Sequence, residues 1–210
     1  MPSPSLRQER AAWARGTLLV GVDEAGRGPL AGPVVAAAVI FPAEIRLRKL
    51  IRDSKTLSEG DRNLAATFIR AKALAIGVGA SSVREIDRYN IRQATIRAMR
   101  RAIERVLPSC YRVVPKAHIL LDGLAMPELG HDHEALVDGD ALCFSVSAAG
   151  IIAKTVRDRL MTQLARRHPG YSWETNMGYG TETHRFAINT HGVTRHHRMT
   201  FAPVAQLSFL

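Results

Sequence analysis

The first apolar residues of the chain form two runs, Thr17–Asp23 and Val34–Phe41, on either side of a glycine-rich segment. This pattern predicts a β-hairpin. Its second strand is almost wholly apolar, which is typical of a central strand covered on both faces. Further strands are predicted at the following apolar runs: Leu74–Ser82, which is weakened by Gly77 and Gly79, then Ala117–Leu121 and Ala135–Val137.

Helical periodicity dominates the rest of the chain, whereas residues 1–16 are polar and are expected to form a loose leader. Helices are predicted at four segments: Glu59–Lys72, Val83–Leu107 (ending at Pro108), Ser145–His168 and Thr183–Thr190. A hairpin followed by mixed strands and helices predicts an α/β fold with a mixed sheet flanked by helices. A dinucleotide-binding fold is excluded, because Pro29 and Pro33 interrupt the position at which its phosphate-binding helix would begin.

Composition narrows the class of partner. The 210 residues carry a formal net charge of +10, and lysine and arginine are spread along the whole chain. A folded basic surface of this kind indicates that the binding partner is a polyanion such as nucleic acid. Cys110 and Cys143 are not at metal-ligand spacing and indicate a reducing compartment. The chain has neither a signal-peptide pattern nor an apolar run of membrane-spanning length, so a cytoplasmic protein without membrane attachment is expected.

Acidic residues stand where apolar strands are predicted to end: Asp23 with Glu24, then Asp122, then Asp140. Buried carboxylates are costly unless they bind a cation, and several of them can offset two Mg²⁺ or Mn²⁺ ions. Adjacent residues of a regular strand face opposite sides, so Asp23 and Glu24 can share a site only if the strand ends there. An Asp beside a Gly is also common in turns. A turn is the alternative interpretation for Asp122 and Asp140, and it is the preferred interpretation for Asp138.

A second acidic and histidine-rich group, His131-Asp132-His133, precedes Glu134 in a polar segment. This spacing could supply metal ligands, but a solvated loop is the favoured interpretation.

The ordered motifs of this chain resemble those of ribonuclease HII, the type 2 ribonuclease H family. The similarity extends from about Leu18 to Val204 and is carried by these segments: Asp23–Pro33 (DEAGRGPLAGP), Asp53-Ser54-Lys55, Asn90–Met99, Asp122-Gly123, Gly139-Asp140 with Ser145–Asp158, Gly178–His184 (GYGT--H) and His197–Pro203 (HR--F-P). The first motif is highly specific, and the order of the whole set makes a chance match improbable.

The resemblance implies a ribonuclease-H-like catalytic domain at residues 17–168 and a small helical C-terminal extension at 169–210. It implies an endonuclease that cuts the RNA strand of RNA–DNA hybrids and ribonucleotides embedded in duplex DNA, leaving 5′-phosphate and 3′-hydroxyl ends. The implied cofactors are two Mn²⁺ or Mg²⁺ ions, held by Asp23, Glu24, Asp122 and Asp140. The chain is expected to act as a monomer.

The family pattern also implies the residues that contact substrate. Backbone groups of Gly26, Arg27 and Gly28 would read the ribose 2′-hydroxyl, and Tyr179 would pack on the neighbouring deoxyribose. Lys55 and Lys154, together with Arg27, are candidates for phosphate contacts, which are independent of base sequence.

Two positions depart from the family pattern: Met177 stands where lysine is usual, and Gly150 where serine is usual. Two other functions stay open, a catalytically silent hybrid-binding module and a different two-metal enzyme, such as an exonuclease. The acidic quartet argues against the first, because clustered acids repel phosphate. The glycine loop with Tyr179 argues against the second.

The chain ends in Gln206-Leu207-Ser208-Phe209-Leu210, which resembles the short peptides that dock on the bacterial sliding clamp. Docking would use Gln206, Leu207, Phe209 and Leu210. The alternative is that the apolar residues of this tail pack back on the C-terminal extension.

Overall fold

The computed structural model describes residues 4–207 and contains one five-stranded mixed sheet. In spatial order the strands are β3-β2-β1-β4-β5, with β1 antiparallel to β2 and parallel to β4. Their bounds are β1 Leu18–Ala25, β2 Val34–Ile40, β3 Ala75–Ser81, β4 Ala117–Asp122 and β5 Glu134–Leu136. The predicted hairpin and mixed sheet are confirmed.

Eight helices accompany the sheet in the described part of the chain. They are α1 Arg7–Ala14, α2 Glu59–Lys72, α3 Val83–Tyr111, α4 Gly139–Leu142, α5 Phe144–Arg167, α6 Trp173–Asn176, α7 Glu182–His191 and α8 Val204–Leu207, with a 3₁₀ turn at Pro127–Leu129. Within residues 4–207 no helix is both long and apolar enough to cross a bilayer.

Strand β2 is buried throughout because helices cover both faces of the sheet. Its side chains alternate: Ala36 and Ala38 pack with residues of α3, whereas Ala37 and Val39 pack with residues of α2 and α5. This arrangement explains the uninterrupted apolar run that predicted a central strand.

Helix α3 lies unusually close to the edge strand β3. A Cβ at Gly77 or Gly79 would overlap backbone atoms of Ala102 or Ala98. The two glycines therefore permit close helix packing, which offsets their weak strand propensity.

The expectation of a loose leader is wrong for the described residues before β1. Residues 7–14 form α1, which buries Ala12 and Glu9 against the domain. Glu9 Oε1 accepts hydrogen bonds from Ser145 N at 2.7 Å and Cys143 Sγ at 3.2 Å. An acid from α1 thus satisfies an unpaired N–H at the start of α5, which has no side-chain cap of its own.

The C-terminal segment shares a hydrophobic cluster with residues of the sheet-bearing part of the chain. Leu30 and Ala31, which follow the glycine-rich loop, pack with residues of α5, α6 and α7, among them Met161, Trp173 and Ile188. The boundary placed at residue 168 stays a prediction.

Candidate active site

Three carboxylates meet at one edge of the sheet. Asp23 lies near the end of β1, and Asp122 is the last residue of β4, its parallel neighbour. Asp140 lies in the first turn of α4, so the expectation that it follows a strand directly is wrong. One carboxylate oxygen from each residue lies within 4.8 Å of the other two. This separation suits three ligands of a divalent cation.

Burial makes this cluster electrostatically unfavourable without a cation. The pKa of Asp23 is raised well above its ordinary value, first by burial and then by repulsion from Glu24 and Asp122. Burial and Asp122 also raise the pKa of Asp140, although Lys55 opposes the shift. A bound cation would relieve both the desolvation and the repulsion.

Glu24 lies beside the cluster but is paired with another residue. Its Oε1 is 3.3 Å from the guanidinium of Arg27. Burial raises the pKa of Glu24, and Arg27 opposes that rise. Strand β1 continues to Ala25, so the expectation that it ends at Asp23 is wrong, and the pleat separates the two acids. The structure therefore brings together three of the four predicted ligands, and Glu24 as the fourth stays a prediction.

The glycine-rich loop follows these acids directly. Gly26 has φ +95°, and a Cβ there would overlap the guanidinium of buried Arg157. Only glycine fits this position, for both its backbone conformation and its contact. Arg27 and Gly28 are exposed, so the outer side of the loop is open to a substrate.

Tyr179 stands against the outer side of this loop. A Cβ built on Gly28 would lie 3.8 Å from Tyr179 Cε1, and the tyrosine side chain is 45% exposed. Its backbone is fixed from behind, since Tyr179 O accepts hydrogen bonds from His184 Nδ1 and Thr181 N, each at 2.8 Å. The structure thus places the tyrosine beside the glycine loop, and the contacts of both with a sugar stay a prediction.

A buried aromatic network supports the tyrosine segment. Trp173 Nε1 donates to His184 Nε2 at 2.9 Å, and His197 Nε2 lies 3.2 Å from the same nitrogen. His197 Nδ1 accepts from Thr194 N at 2.8 Å, which assigns the His197 proton to Nε2. Burial lowers the pKa of His184, and burial followed by repulsion from His184 lowers the pKa of His197 to about 4. Both rings are therefore neutral near pH 7.

The two candidate lysines differ in their surroundings. Lys55 is 3.6 Å from Asp140 Oδ2 and is otherwise exposed. Partial burial would lower its pKa, but the combined attraction to Asp140, Asp53, Asp23 and Asp122 outweighs this effect and the pKa is raised. Lys154 instead donates to Asp158 at 2.7 Å, and Asp158 also pairs with Arg62 at 3.3 Å. Asp158 is therefore paired with two basic residues of the domain, one of which is Lys154. Phosphate binding by Lys154 stays a prediction.

The two departures from the family pattern lie next to the site. A Cβ at Gly150 would overlap the carboxylate of Asp23, so the small residue makes room for that acid. Met177 has φ 50° and its carbonyl accepts from Arg157 at 3.0 Å.

Two remaining candidates lie outside the acidic cluster. His133 Nε2 accepts from Met126 N at 3.0 Å, and the ring organises its own loop. Gln206 is exposed, whereas Phe209, Leu210 and the side chain of Leu207 lie outside the described residues.

Sequence reasoning assigned no role to Arg157 and Arg198, two buried arginines beneath the loop. Arg157 donates to the carbonyls of Ala31, Pro33 and Met177 and so ties the glycine-rich segment to the tyrosine segment. Both residues fall within the family motifs, but their partners are backbone carbonyls, which leave no signal in side-chain spacing.

The fold is that of a ribonuclease-H-like protein, and its acidic edge is a cluster of three carboxylates that could hold a metal ion. A family model for ribonuclease HII matches residues 20–204. The chain belongs to the ribonuclease HII family, and it is an endoribonuclease, a hydrolase that cuts the RNA strand of RNA–DNA hybrids.

Individual relatives agree with this assignment. The chain is 49% identical to ribonuclease HII of Synechococcus sp. (strain JA-3-3Ab) over 97% of this chain and 90% of the relative. It is 50% identical to ribonuclease HII of Granulibacter bethesdensis over 99% of this chain and 92% of the relative.

Solved structures show the same fold. A chain in the PCNA:RNase HII complex from Archaeoglobus fulgidus superimposes with a TM-score of 0.72 and 27% identity, covering 88% of this chain and 95% of that one. Bst-RNase HIII, solved with Mn²⁺, gives a TM-score of 0.67 at 20% identity, covering 92% of this chain and 70% of that one. The second similarity concerns the fold alone.

Proposed function

We propose that this ribonuclease cuts both RNA–DNA hybrids and ribonucleotides embedded in duplex DNA, and that it leaves 5′-phosphate and 3′-hydroxyl ends. The observation that carries the proposal is the position of the open glycine loop, which directly follows the acidic edge of the sheet. A scissile phosphate at the acids and its ribose at the loop would therefore be neighbouring parts of one nucleotide.

Asp23, Asp122 and Asp140 would hold divalent cations, Mg²⁺ or Mn²⁺, with Glu24 as an additional ligand. Two such ions, when bound, would supply the positive charge needed for activation of a water and for stabilisation of the leaving 3′-oxygen. The side chains that meet at this edge are three carboxylates, which suits hydrolysis by a metal-activated water. Lys55 beside Asp140 supplies a positive charge that can attract a phosphate.

Selection for RNA would take place at the loop. RNA differs from DNA at a given nucleotide chiefly by its 2′-hydroxyl. Backbone groups at Gly26, Arg27 and Gly28 can approach that hydroxyl closely, because two of these residues have no side chain. Tyr179, packed beside Gly28, would cover the adjacent sugar.

Three duplexes of one sequence test this function: an RNA–DNA hybrid, DNA with one ribonucleotide, and all-DNA. Each is incubated with Mg²⁺, Mn²⁺ or EDTA, and the products are resolved at single-nucleotide resolution. We expect cuts in the first two duplexes with either metal and none with EDTA. Cleavage that persists in EDTA would refute the metal site, and failure to cut the single-ribonucleotide duplex would refute the wider substrate range.

We further propose that residues 206–210 bind a sliding clamp. Support comes from the tail sequence and from the archaeal relative, whose structure was solved as a complex with PCNA. A protein lacking residues 206–210 should lose clamp binding in surface plasmon resonance while keeping its melting temperature and its cleavage of short duplexes. A lowered melting temperature, with no clamp binding by the intact chain, would show that the tail packs on its own domain.

A further inference from the structure

Arg198 is completely buried beneath the glycine loop, where its guanidinium donates to backbone oxygens and lies 5.0 Å from the centroid of the Phe201 ring. Its Nε donates to Gly32 O at 3.0 Å, and its Nη1 donates to Arg27 O at 2.7 Å. Its Nη2 donates to Gly26 O at 2.6 Å and to Gly32 O at 2.9 Å. No ion pair to Arg198 is present within residues 4–207. A buried cation without a carboxylate partner is unusual and points to a specific purpose.

The charge persists at neutral pH despite its burial. Burial and repulsion from Arg157 lower the pKa of Arg198 to about 9. A planar guanidinium can reach several carbonyls at once, whereas the compact ammonium of lysine cannot reproduce that fork. The shape of the group, as well as its charge, therefore determines how the loop is held.

These bonds also fix where the N–H groups of the loop point. In a trans peptide the carbonyl and the N–H lie in one plane and point in opposite directions. The carbonyls of Gly26 and Arg27 point inward to Arg198, so the N–H groups of Arg27 and Gly28 point outward. Within the described residues neither N–H has an acceptor, and both residues are exposed.

We infer that Arg198 is the positioning residue for ribose recognition: it turns two successive peptide units so that the Arg27 and Gly28 N–H groups face one bound sugar. Successive outward N–H groups form a concave pair of donors that suits a hydroxyl or phosphate oxygen. Tyr179, whose Cε1 would lie 3.8 Å from a Cβ built on Gly28, borders the same space. This inference rests on the proposed recognition of ribose by the loop and identifies the residue that organises it.

The test measures binding in an Asp122→Asn background, which blocks cleavage. Affinity is determined for a duplex with one ribonucleotide and for the all-DNA duplex of the same sequence, and the ratio of the two Kd values gives the ribose preference. Arg198→Lys should reduce that preference by about tenfold, the equivalent of one or two misdirected hydrogen bonds. Arg195→Lys, an exposed change in the same segment, is the matched control and should leave the ratio unchanged.

The preference ratio separates positioning from general stability, because loss of fold or of phosphate contacts weakens both duplexes alike. If Arg198→Lys keeps the parental preference, charge alone suffices and the inference is wrong. If the parental Asp122→Asn protein has no ribose preference, the proposed function itself fails.

A second variant covers the case in which Arg198→Lys does not fold. Replacing Gly28 by glycolic acid turns one backbone amide into an ester, which removes the Gly28 N–H and leaves the Arg27 carbonyl in place as a weaker acceptor. We expect this protein to lose ribose preference while retaining its affinity for the all-DNA duplex. An unchanged preference in the ester protein would contradict the inference independently of Arg198.

Discussion

Asp122→Asn should make the metal-free protein more stable and the enzyme almost inactive. Asp122 repels Asp23, Glu24 and Asp140, and repulsion from Asp122 raises the pKa of each. For two full charges about 5 Å apart and an effective dielectric constant of about 20, the repulsion is about 3 kcal/mol. Partial protonation reduces this figure, so we expect a gain of about 1–2 kcal/mol, or roughly 2–8 °C in melting temperature.

The assay is thermal unfolding at pH 8 in EDTA, then in increasing Mg²⁺ or Mn²⁺. The wild-type protein should be less stable than Asp122→Asn in EDTA and should gain more from metal, because it has the additional ligand. Hydrolysis should fall by at least about a hundredfold, the order of loss expected when metal charge stabilisation is removed. Asp122 Oδ1 accepts from Asp140 N at 3.3 Å, and the amide oxygen of the substituted side chain can accept the same bond, so local structure should persist.

Asp138→Asn is the matched control for this experiment. Asp138 is an exposed acid two residues before Asp140, and its φ of 56° suits asparagine equally well. Its substitution should change neither the metal response nor the rate. A lower melting temperature for Asp122→Asn in EDTA, or a rate within fivefold of wild type at saturating Mg²⁺, would show that Asp122 is not part of a repulsive metal-binding cluster.

Three further outcomes are expected. Tyr179→Phe should keep most cleavage of long hybrids whereas Tyr179→Ala should not, and near-wild-type rates for both in gel assays would remove the tyrosine from the site. The logarithm of hybrid affinity should fall with the logarithm of salt concentration at a slope of about −4, as about five phosphate contacts require, and a flat dependence would separate the basic charge from binding. Because the pKa of His197 is lowered from 6.5 to about 4, the unfolded chain takes up its proton first on acidification. The stabilising contribution of the neutral His197 ring should therefore be complete above pH 6.5 and should fall by about 3 kcal/mol between pH 6.5 and 4. Denaturant titrations should show a smaller loss for His197→Gln than for wild type, and equal losses would contradict the neutral buried ring.

The local pattern of apolar and polar residues was enough to predict those helices and strands whose bounds depend on their own sequence. Helix α2 has the bounds that helical spacing predicted, Glu59–Lys72, and in the structure Ser58 accepts from Asp61 N and caps its start. The uninterrupted apolar sequence of β2 was enough to predict that helices cover this strand on both faces. The end predicted at Pro108 was wrong, since α3 continues to Tyr111 with the proline near its end.

The parts that could not be predicted depend on partners distant in sequence. In sequence, helix α1 resembles a polar leader. Its Glu9 is nevertheless buried, because it accepts a hydrogen bond from the backbone N–H of Ser145, and periodicity cannot reveal such a distant partner. Asp23 and Asp122 were recognisable as acids ending strands, but Asp140 reaches them from a helical turn. The role of Arg198 required the positions of carbonyls more than 160 residues away along the chain.

Cleavage by this enzyme in the presence of metal should be directed by a single ribose, and moving that ribose tests this directly. Duplexes of identical sequence would carry one ribonucleotide at successive positions, and the cut and its end groups would be mapped in Mg²⁺ or Mn²⁺. We expect one cut that moves in step with the ribonucleotide and always yields 5′-phosphate and 3′-hydroxyl ends. A cut that stays at one base sequence while the ribonucleotide moves, or that appears in the all-DNA duplex, would contradict recognition of the ribose.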